Sequence, residues 1–498
     1  MSDRSRRSAK RPDATPPPPP PPPRGPPPPP GPVRPTVGGS SNAGNASGAG
    51  KAFDAGDASG AGKAFDAGDA SGAGGASGAG GPRASRRALF GLGGAAIAGA
   101  AIGAGVTVAA DGGGSTPAAP TPQTVPFFGA TQAGIATPAP ARLAFATYDL
   151  TVDGTLAQRQ AALKDLLQVW ALAAAAMTAG HLVPGDSTNM AAPPADTGEA
   201  YGTSPANLTI TVGFGPSLFD DRFGLADKRP AALADLPVLP PENLDPARTG
   251  GDLCVQACSD DPVAAFHAIR NLARLGRGTV VMRWSQLGFG KATSNGADQE
   301  TPRNLMGFKD GTRNMDGADR ALMNAHVWVG GETDQPWMRD GSYLVVRRIR
   351  MHIEGWDRDF LADQENIFGR SKYTGAPLTG TKEHDTPDFA AKGADGEPVI
   401  GMDAHIRLAA HENTGGIRIL RRGYSFTDGM LANSGELDAG LFFMAFQKDP
   451  RAQFVVLQRK LGQSDALNEY IQHVGSGLFA CPPGLRAAGD YWGSALLG

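Results

Sequence analysis

The period of the hydrophobic positions changes several times between residues 141 and 290, and each change marks an element. Ala141 to Leu150 alternates apolar and polar positions, as a half-buried strand does. Gln160 to Met177 carries Leu163, Leu166, Leu167, Trp170 and Leu172 at helical spacing. Leu208 to Phe214 is a second strand and residues 252–258 are a third. The third runs into Asp260-Asp261-Pro262, a capping side chain followed by proline at the first helical position, so Val263 to Leu275 reads as a helix. Gly278 to Trp284 is strand-like again. Strand, helix, strand, strand, helix, strand is the order of a ferredoxin-like unit.

The pattern returns downstream. Gly341 to Ile353 is a β-rich run in which Tyr343, Val345 and later aliphatics interleave with Arg347, Arg348 and Arg350, which suggests a partly solvated strand. Trp356 to Gly369 is expected to be helical, Arg418 to Arg421 and Gly440 to Gln447 to be strands, and Ser464 to His473 to be a helix. The expected fold class is therefore α+β: two ferredoxin-like halves, residues 123–315 and 316–498, with antiparallel sheets that face each other. A doubly wound nucleotide fold does not fit, because Gly288-Phe289-Gly290 lacks the dinucleotide fingerprint and no Walker sequence occurs.

Composition sets the first 122 residues apart. Pro16 to Pro30 is proline broken only by Arg24 and Gly25, and a 12-residue repeat begins at Ala46 and again at Ala58, with a truncated copy from Ala70. One Phe per repeat cannot build a core, and the glycines raise the cost of ordering, so residues 1–84 are expected to be disordered. Ser85-Arg86-Arg87-Ala88-Leu89-Phe90 then opens an uncharged, Gly- and Ala-rich run that ends at Val108-Ala109-Ala110. This resembles a twin-arginine signal for exporting folded proteins, here spanning residues 85–110, with a flexible linker over 111–122. A transmembrane anchor is the competing reading, since the run from Ala88 to Ala110 could span a bilayer. Its low Leu, Ile and Val content favours cleavage near Ala110. The expected destination is the periplasm, cell envelope or exterior, with the twin-arginine translocation machinery as a partner.

A formal charge of −3 and a pI of about 6.3 offer no broad basic field, so a nucleic-acid partner is not expected. Cys254 and Cys258 are four apart, which suits neither a CxxC redox pair nor a zinc knuckle. With Cys481 they read as ordinary buried thiols.

The candidate chemistry lies in three segments. His405 sits in Gly401-Met402-Asp403-Ala404-His405-Ile406-Arg407-Leu408; taken alone, a histidine is more often a hydrogen-bonded structural group than a metal ligand. Asp310 lies within Gly307-Phe308-Lys309-Asp310-Gly311, where the flanking glycines equally suit a turn aspartate. Arg421 and Arg422 lie in Ile419-Leu420-Arg421-Arg422-Gly423-Tyr424, where alternation lets only one of them face a given side.

Together these segments resemble the dye-decolourising peroxidases, and specifically their exported branch, which includes the deferrochelatases. Gln132-Ala133-Gly134-Ile135, Gly251-Asp252-Leu253-Cys254, Gln335-Pro336-Trp337-Met338, Gly375-Ala376-Pro377-Leu378 and Gln458-Arg459-Lys460-Leu461 add to the likeness, which covers most of residues 123–487. Departures are Thr131, where the family usually has histidine, and His411-Glu412, where proline is commoner. The resemblance implies antiparallel sheets enclosing a haem pocket and one haem b per subunit. It implies reduction of H2O2 at the expense of an aromatic electron donor or a porphyrin, with release of iron from intact porphyrin as the alternative and a non-enzymatic haem carrier as a weaker one. It makes His405 the iron ligand, with His411 as its competitor, Asp310 the distal acid–base group and Arg421 the distal cation. Arg407, on the strand face expected for His405, and Arg313 become propionate or pocket contacts, and Leu441 and Phe443 an apolar wall. Tyr343, Trp337, Trp356 and Tyr424 are candidate surface relays. The family forms dimers and larger rings, so a homo-oligomer is compatible with the resemblance, although the sequence carries no heptad or swap signal.

Overall fold

The structure is a computed structural model, and it describes residues 123–291 and 300–498. The repeats, the twin-arginine segment and the linker expected over 111–122 lie outside the described residues.

In the first half the order is β1 (Arg142–Leu150), α1 (Leu156–Thr178), β2 (Thr209–Phe214), β3 (Leu253–Ser259), α2 (Pro262–Leu275) and β4 (Val280–Lys291). The capping residues act as the sequence suggests. Thr155 and Gln158 form a reciprocal capping box at the start of α1, and the Asp261 carboxylate accepts from Val263 N ahead of α2. The two helices pack on one face of the sheet, where the buried Trp170 indole donates to the Leu272 carbonyl at 2.8 Å and ties α1 to α2.

A short α3 (Arg320–His326) leads to the second half: β5 (Ser342–Met351), α4 (Ile353–Trp356), α5 (Leu361–Phe368), α6 (His405–Ala409), β6 (Leu420–Arg421), β7 (Tyr424–Met430), β8 (Leu437–Gln447), α7 (Phe454–Ser464), β9 (Ile471–Cys481) and α8 (Ser494–Leu497). Within the halves the strands run β2-β3-β1-β4 and β9-β5-β8-β7, the same interleaved ferredoxin-like order twice. Every pairing is antiparallel, and the halves are joined along both edges, by β2 to β9 and by β4 to β7. The facing sheets thus close into a barrel. Its interior is filled by Phe145, Trp284, Val346, Phe442, Met444, Phe479 and the three cysteines, all free thiols.

Three expectations need correction. Residues 464–473 are not a helix: α7 ends at Ser464, a 3-10 turn covers Ala466–Glu469, and β9 starts at Ile471. The helix expected over 356–369 is two short ones, with the chain turning between Asp357 and Phe360. The arginines of β5 are not solvated. Arg347 and Arg348 are 1% and 2% exposed and pair with Glu242 and with Asp428 and Asp438, while Arg350 meets Glu436.

Candidate active site

On the outer face of the second sheet, α5, α6 and α7 and the long excursion between residues 369 and 419 leave a cavity rather than a packed layer. Its floor is the outward-facing set Ile349 and Met351 of β5 with Leu441 and Phe443 of β8. Alternation explains this set: Arg348, Phe442 and Met444 point the other way, into the barrel. Leu441 and Phe443 therefore line the cavity, as expected.

His405 enters from the first position of α6. Its Nδ1 lies 2.6 Å from Oδ2 of Asp465, whose side chain is only 2% exposed. The other carboxylate oxygen accepts from Leu467 N at 3.0 Å, so the chain itself orients Asp465 at the end of α7. Burial works against a charged imidazole, but the Asp465 carboxylate outweighs it and lifts the His405 pKa above its ordinary value; Asp310 adds to the lift and Arg421 opposes it. With Nδ1 engaged, Nε2 is the nitrogen left for the cavity.

Asp310 also lines the cavity, from the segment that joins the halves. Gly307 and Gly311 hold φ of +86° and +115°, and a Cβ on Gly307 would lie 2.8 Å from Cε of Lys372, so a tight turn of this shape requires glycine at that place. The Asp310 carboxylate accepts from Arg421 Nη1 at 2.5 Å. Arg421 is fixed in turn by Asn314, which donates to its carbonyl at 2.8 Å and accepts from its N–H at 2.9 Å. The register of β6 against β8 puts Arg421 beside Ala445, on the cavity side, and sends Leu420 into the barrel. Arg422 is fully buried, and its guanidinium meets the carbonyls of Thr137 and Pro138 rather than a carboxylate.

Arg313 lines the cavity and pairs with Glu412 at 2.5 Å. Arg407 does not line it. His405 starts a helix, not a strand, so the residue two further on turns away; its guanidinium binds the carbonyls of Phe389, Ile400 and Gly401 instead. His411, the competing ligand, is also at the cavity but is engaged by Arg418 and Glu412. Sequence reasoning missed Asp465, Asn314 and Arg370. The last is a buried cation at the cavity whose pKa is pushed down to about 10 by burial and by the neighbouring charge of Arg313. It donates to the carbonyls of Gly375 and Glu383, while the Glu383 carboxylate takes Lys309 and Thr312, so the Gly375-Ala376-Pro377-Leu378 segment braces the loop that carries Asp310.

These residues fit a haem. The cavity is largely apolar, and it is lined by an imidazole held by a carboxylate and by a second carboxylate held by a guanidinium. Lys309, Arg313 and Arg421 at the cavity pair with Glu383, Glu412 and Asp310, whereas Arg370 and Arg418 bond to backbone carbonyls and to His411, respectively, so positive charge is in excess there, as suits an anionic ligand. A cavity so lined is suited to a haem and to acid–base work beside it.

The chain belongs to the Dyp-type peroxidase family: residues 132–290 match its N-terminal domain and residues 301–486 its C-terminal domain. It is 41% identical over 378 residues to the deferrochelatase of Escherichia coli (strain K12), covering 75% of this chain and 87% of that protein. The crystal structure of a DyP-type peroxidase from Streptomyces coelicolor superimposes with a TM-score of 0.69 at 38% identity, covering 75% of this chain and 97% of the other. Ferric DtpA from Streptomyces lividans gives a TM-score of 0.68, also at 38% identity and with the same coverage. The protein is accordingly a haem-binding peroxidase that reduces H2O2 with electrons from a donor substrate.

Proposed function

We propose that His405 would hold the iron of a haem b, that Asp310 is the acid–base group, and that Arg421 is the cation beside it. The observation that carries this is that two pairs, His405–Asp465 and Asp310–Arg421, line one largely apolar cavity. When bound, the haem supplies the electrons that cleave peroxide. The protein's part is protonic and electrostatic. Asp465 keeps the proton on Nδ1 of His405, so the lone pair of Nε2 is the one offered to a metal, and a carboxylate in that place makes the imidazole a stronger donor. Asp310 takes a proton from one peroxide oxygen and returns it to the other, which leaves as water, and Arg421 stabilises the negative charge that develops on the peroxide in between. Arg313 and Arg370 would pair with its propionates, and Leu441 and Phe443 would keep the cavity narrow enough to favour small ligands.

Likeness to deferrochelatases favours a second activity at the same site, release of iron from haem with the porphyrin intact. Incubation with haem followed by mass analysis separates the two: protoporphyrin without iron supports release, and intact haem with oxidised donor supports peroxidase action alone. We also propose export of the haem-loaded protein through Arg86-Arg87. Substituting both with lysine is expected to leave a precursor with a Soret band inside the cell. Unchanged export would exclude the twin-arginine signal, and a haem-free, protease-sensitive precursor would exclude loading before export.

A further inference from the structure

A second cavity, of about 300 Å³, lies towards the edge where β9 meets β2, and it shares no lining residue with the haem cavity. One wall is the chain that follows Leu239, which runs along β9 as a strap. Glu242 pairs in parallel with His473, and Thr249 with Ser476. Asn243 N, Asp245 N and Gly250 N donate to the carbonyls of His473, Val474 and Ser476 at 2.9, 3.1 and 2.9 Å. The strap is thus fixed at both ends, and the space between it and the sheet is preformed, as small-molecule sites generally are.

A buried charge lines this space. The register of β5 sets Arg347 between Phe443 of β8 and Ser476 of β9, the first at the haem cavity and the second at this one. The Arg347 guanidinium stands over the Phe454 ring, 5.2 Å from its centroid, and Nη1 donates to Oε1 of Glu242 at 2.6 Å. Nε and Nη2 find no hydrogen-bond partner in the protein. These two nitrogens form one edge of the guanidinium, and the parallel N–H bonds of that edge match the two oxygens of a carboxylate.

The nearby acids cannot complete it. Glu242 gives Oε1 to Nη1, and its Oε2 accepts from Leu239 N at 3.0 Å. Asp235, the other carboxylate at the cavity, has an 81% exposed side chain and pairs with Arg229. A buried ionised group with two unused donors is costly until a group from outside the chain satisfies them. Beyond the charge the lining is mostly apolar: Leu236, Pro237, Val238, Leu244 and Leu478, with Val238 89% exposed where the cavity opens.

We propose that this cavity binds a monocarboxylate with a compact apolar body. The carboxylate takes the Nε–Nη2 edge of Arg347, and the body lies against the leucines. One guanidinium then serves two carboxylates, Glu242 on one edge and the ligand on the other. A dianion would bury a charge that nothing there balances. A neutral amide offers one acceptor to two donors and turns an N–H towards the second. The site is separate from the haem and does not depend on the peroxidase reading.

The test is a fluorine NMR titration of the haem-loaded protein with para-fluorobenzoate, with para-fluorobenzamide as the neutral counterpart. One equivalent of the acid is expected to bind with a Kd of about 1 mM or below. The amide is expected to bind at least about tenfold more weakly, the factor that loss of a charge-assisted hydrogen bond brings. Arg347→Lys keeps a cation for Glu242 but has no fork, and is expected to weaken the acid by about tenfold. Leu244→Trp fills the cavity, leaves the Arg347–Glu242 pair in place and is expected to abolish binding. An unchanged Soret band and far-ultraviolet circular dichroism show that each variant keeps its fold; should Arg347→Lys not fold, Leu244→Trp and the amide decide. No binding by the wild type overturns the proposal, as does equal affinity for acid and amide. Binding that survives Leu244→Trp puts the probe elsewhere, in the haem cavity or on the surface, and binding that survives Arg347→Lys removes the fork from recognition; either result overturns it too.

Discussion

Replacing Asp465 by Asn isolates what the carboxylate behind His405 contributes. Asparagine is nearly isosteric and can still accept from Leu467 N, so the 3-10 turn at Ala466–Glu469 is retained. What disappears is a charge-assisted bond of 2.6 Å in which the acceptor is almost wholly screened from water. Hydrogen bonds to charged groups are worth roughly 1.5–3 kcal/mol against about 0.5–1.5 for neutral ones, a difference of ~1–1.5 kcal/mol, or about tenfold in an equilibrium constant. Carboxylate partners of ligating histidines typically change metal affinity by about 10–100-fold, so the expected loss is at the lower end of that range. Haem affinity is read by titrating apo-protein and following the Soret band. The reduction potential should also rise, because a less anionic imidazole stabilises ferric iron less. Affinity within about twofold of wild type together with an unmoved potential would refute the argument, since the full strength expected of the bond would then be absent.

Asp310→Asn should slow the reaction with H2O2 by at least about 10²-fold in stopped-flow absorbance, the usual size of an acid–base contribution, and an unchanged rate would remove Asp310 from that role. Asn314→Ala, which frees the backbone clamp on Arg421, should reduce the same rate less than Asp310→Asn does while leaving haem loading intact; a loss of haem instead would mean that Asn314 serves the fold. His473 is 2% exposed, and burial first and the Arg347 charge second push its pKa down to about 3. The unfolded chain takes up a proton near pH 6.5 that the folded chain refuses, so stability is full above that pH and falls as pH drops towards 3, by about 2 kcal/mol at pH ~5. Urea unfolding of wild type and His473→Gln at pH ~7.5 and ~5 tests this, and parallel losses in both would contradict it.

The elements that could be read from the sequence are those whose signals are local. The cap at Asp261-Pro262 starts α2 where it was expected, and β1, β2 and β3 lie within a residue or two of their predicted limits. Errors cluster where tertiary structure overrides pattern. β9 is buried on both faces along most of its length and contains His473, Gly475 and Gly477, so it offers no clean alternation. His405-Ile406-Arg407-Leu408 alternates like a strand but forms a five-residue helix, and that change of period is what removes Arg407 from the cavity. Asp310 and Arg421, which both line the cavity, each sit in a distinctive segment. Asp465 does not: it is 60 residues from His405, and nothing in its own neighbourhood marks it as a partner. Arg370 was hidden for the same reason, since its role follows from the folding of residues 369–383 against the Asp310 loop.

The central claim is that His405 is the residue that holds the iron. The most direct measurement is a resonance Raman and electron paramagnetic resonance comparison of wild type with His405→Gly, with and without added imidazole. The account predicts a histidine–iron stretch in the wild type, its loss together with the native high-spin signal in the variant, and recovery of both when imidazole fills the space beside Asp465. A variant that keeps the histidine–iron stretch without imidazole would contradict it and would point to His411 as the ligand.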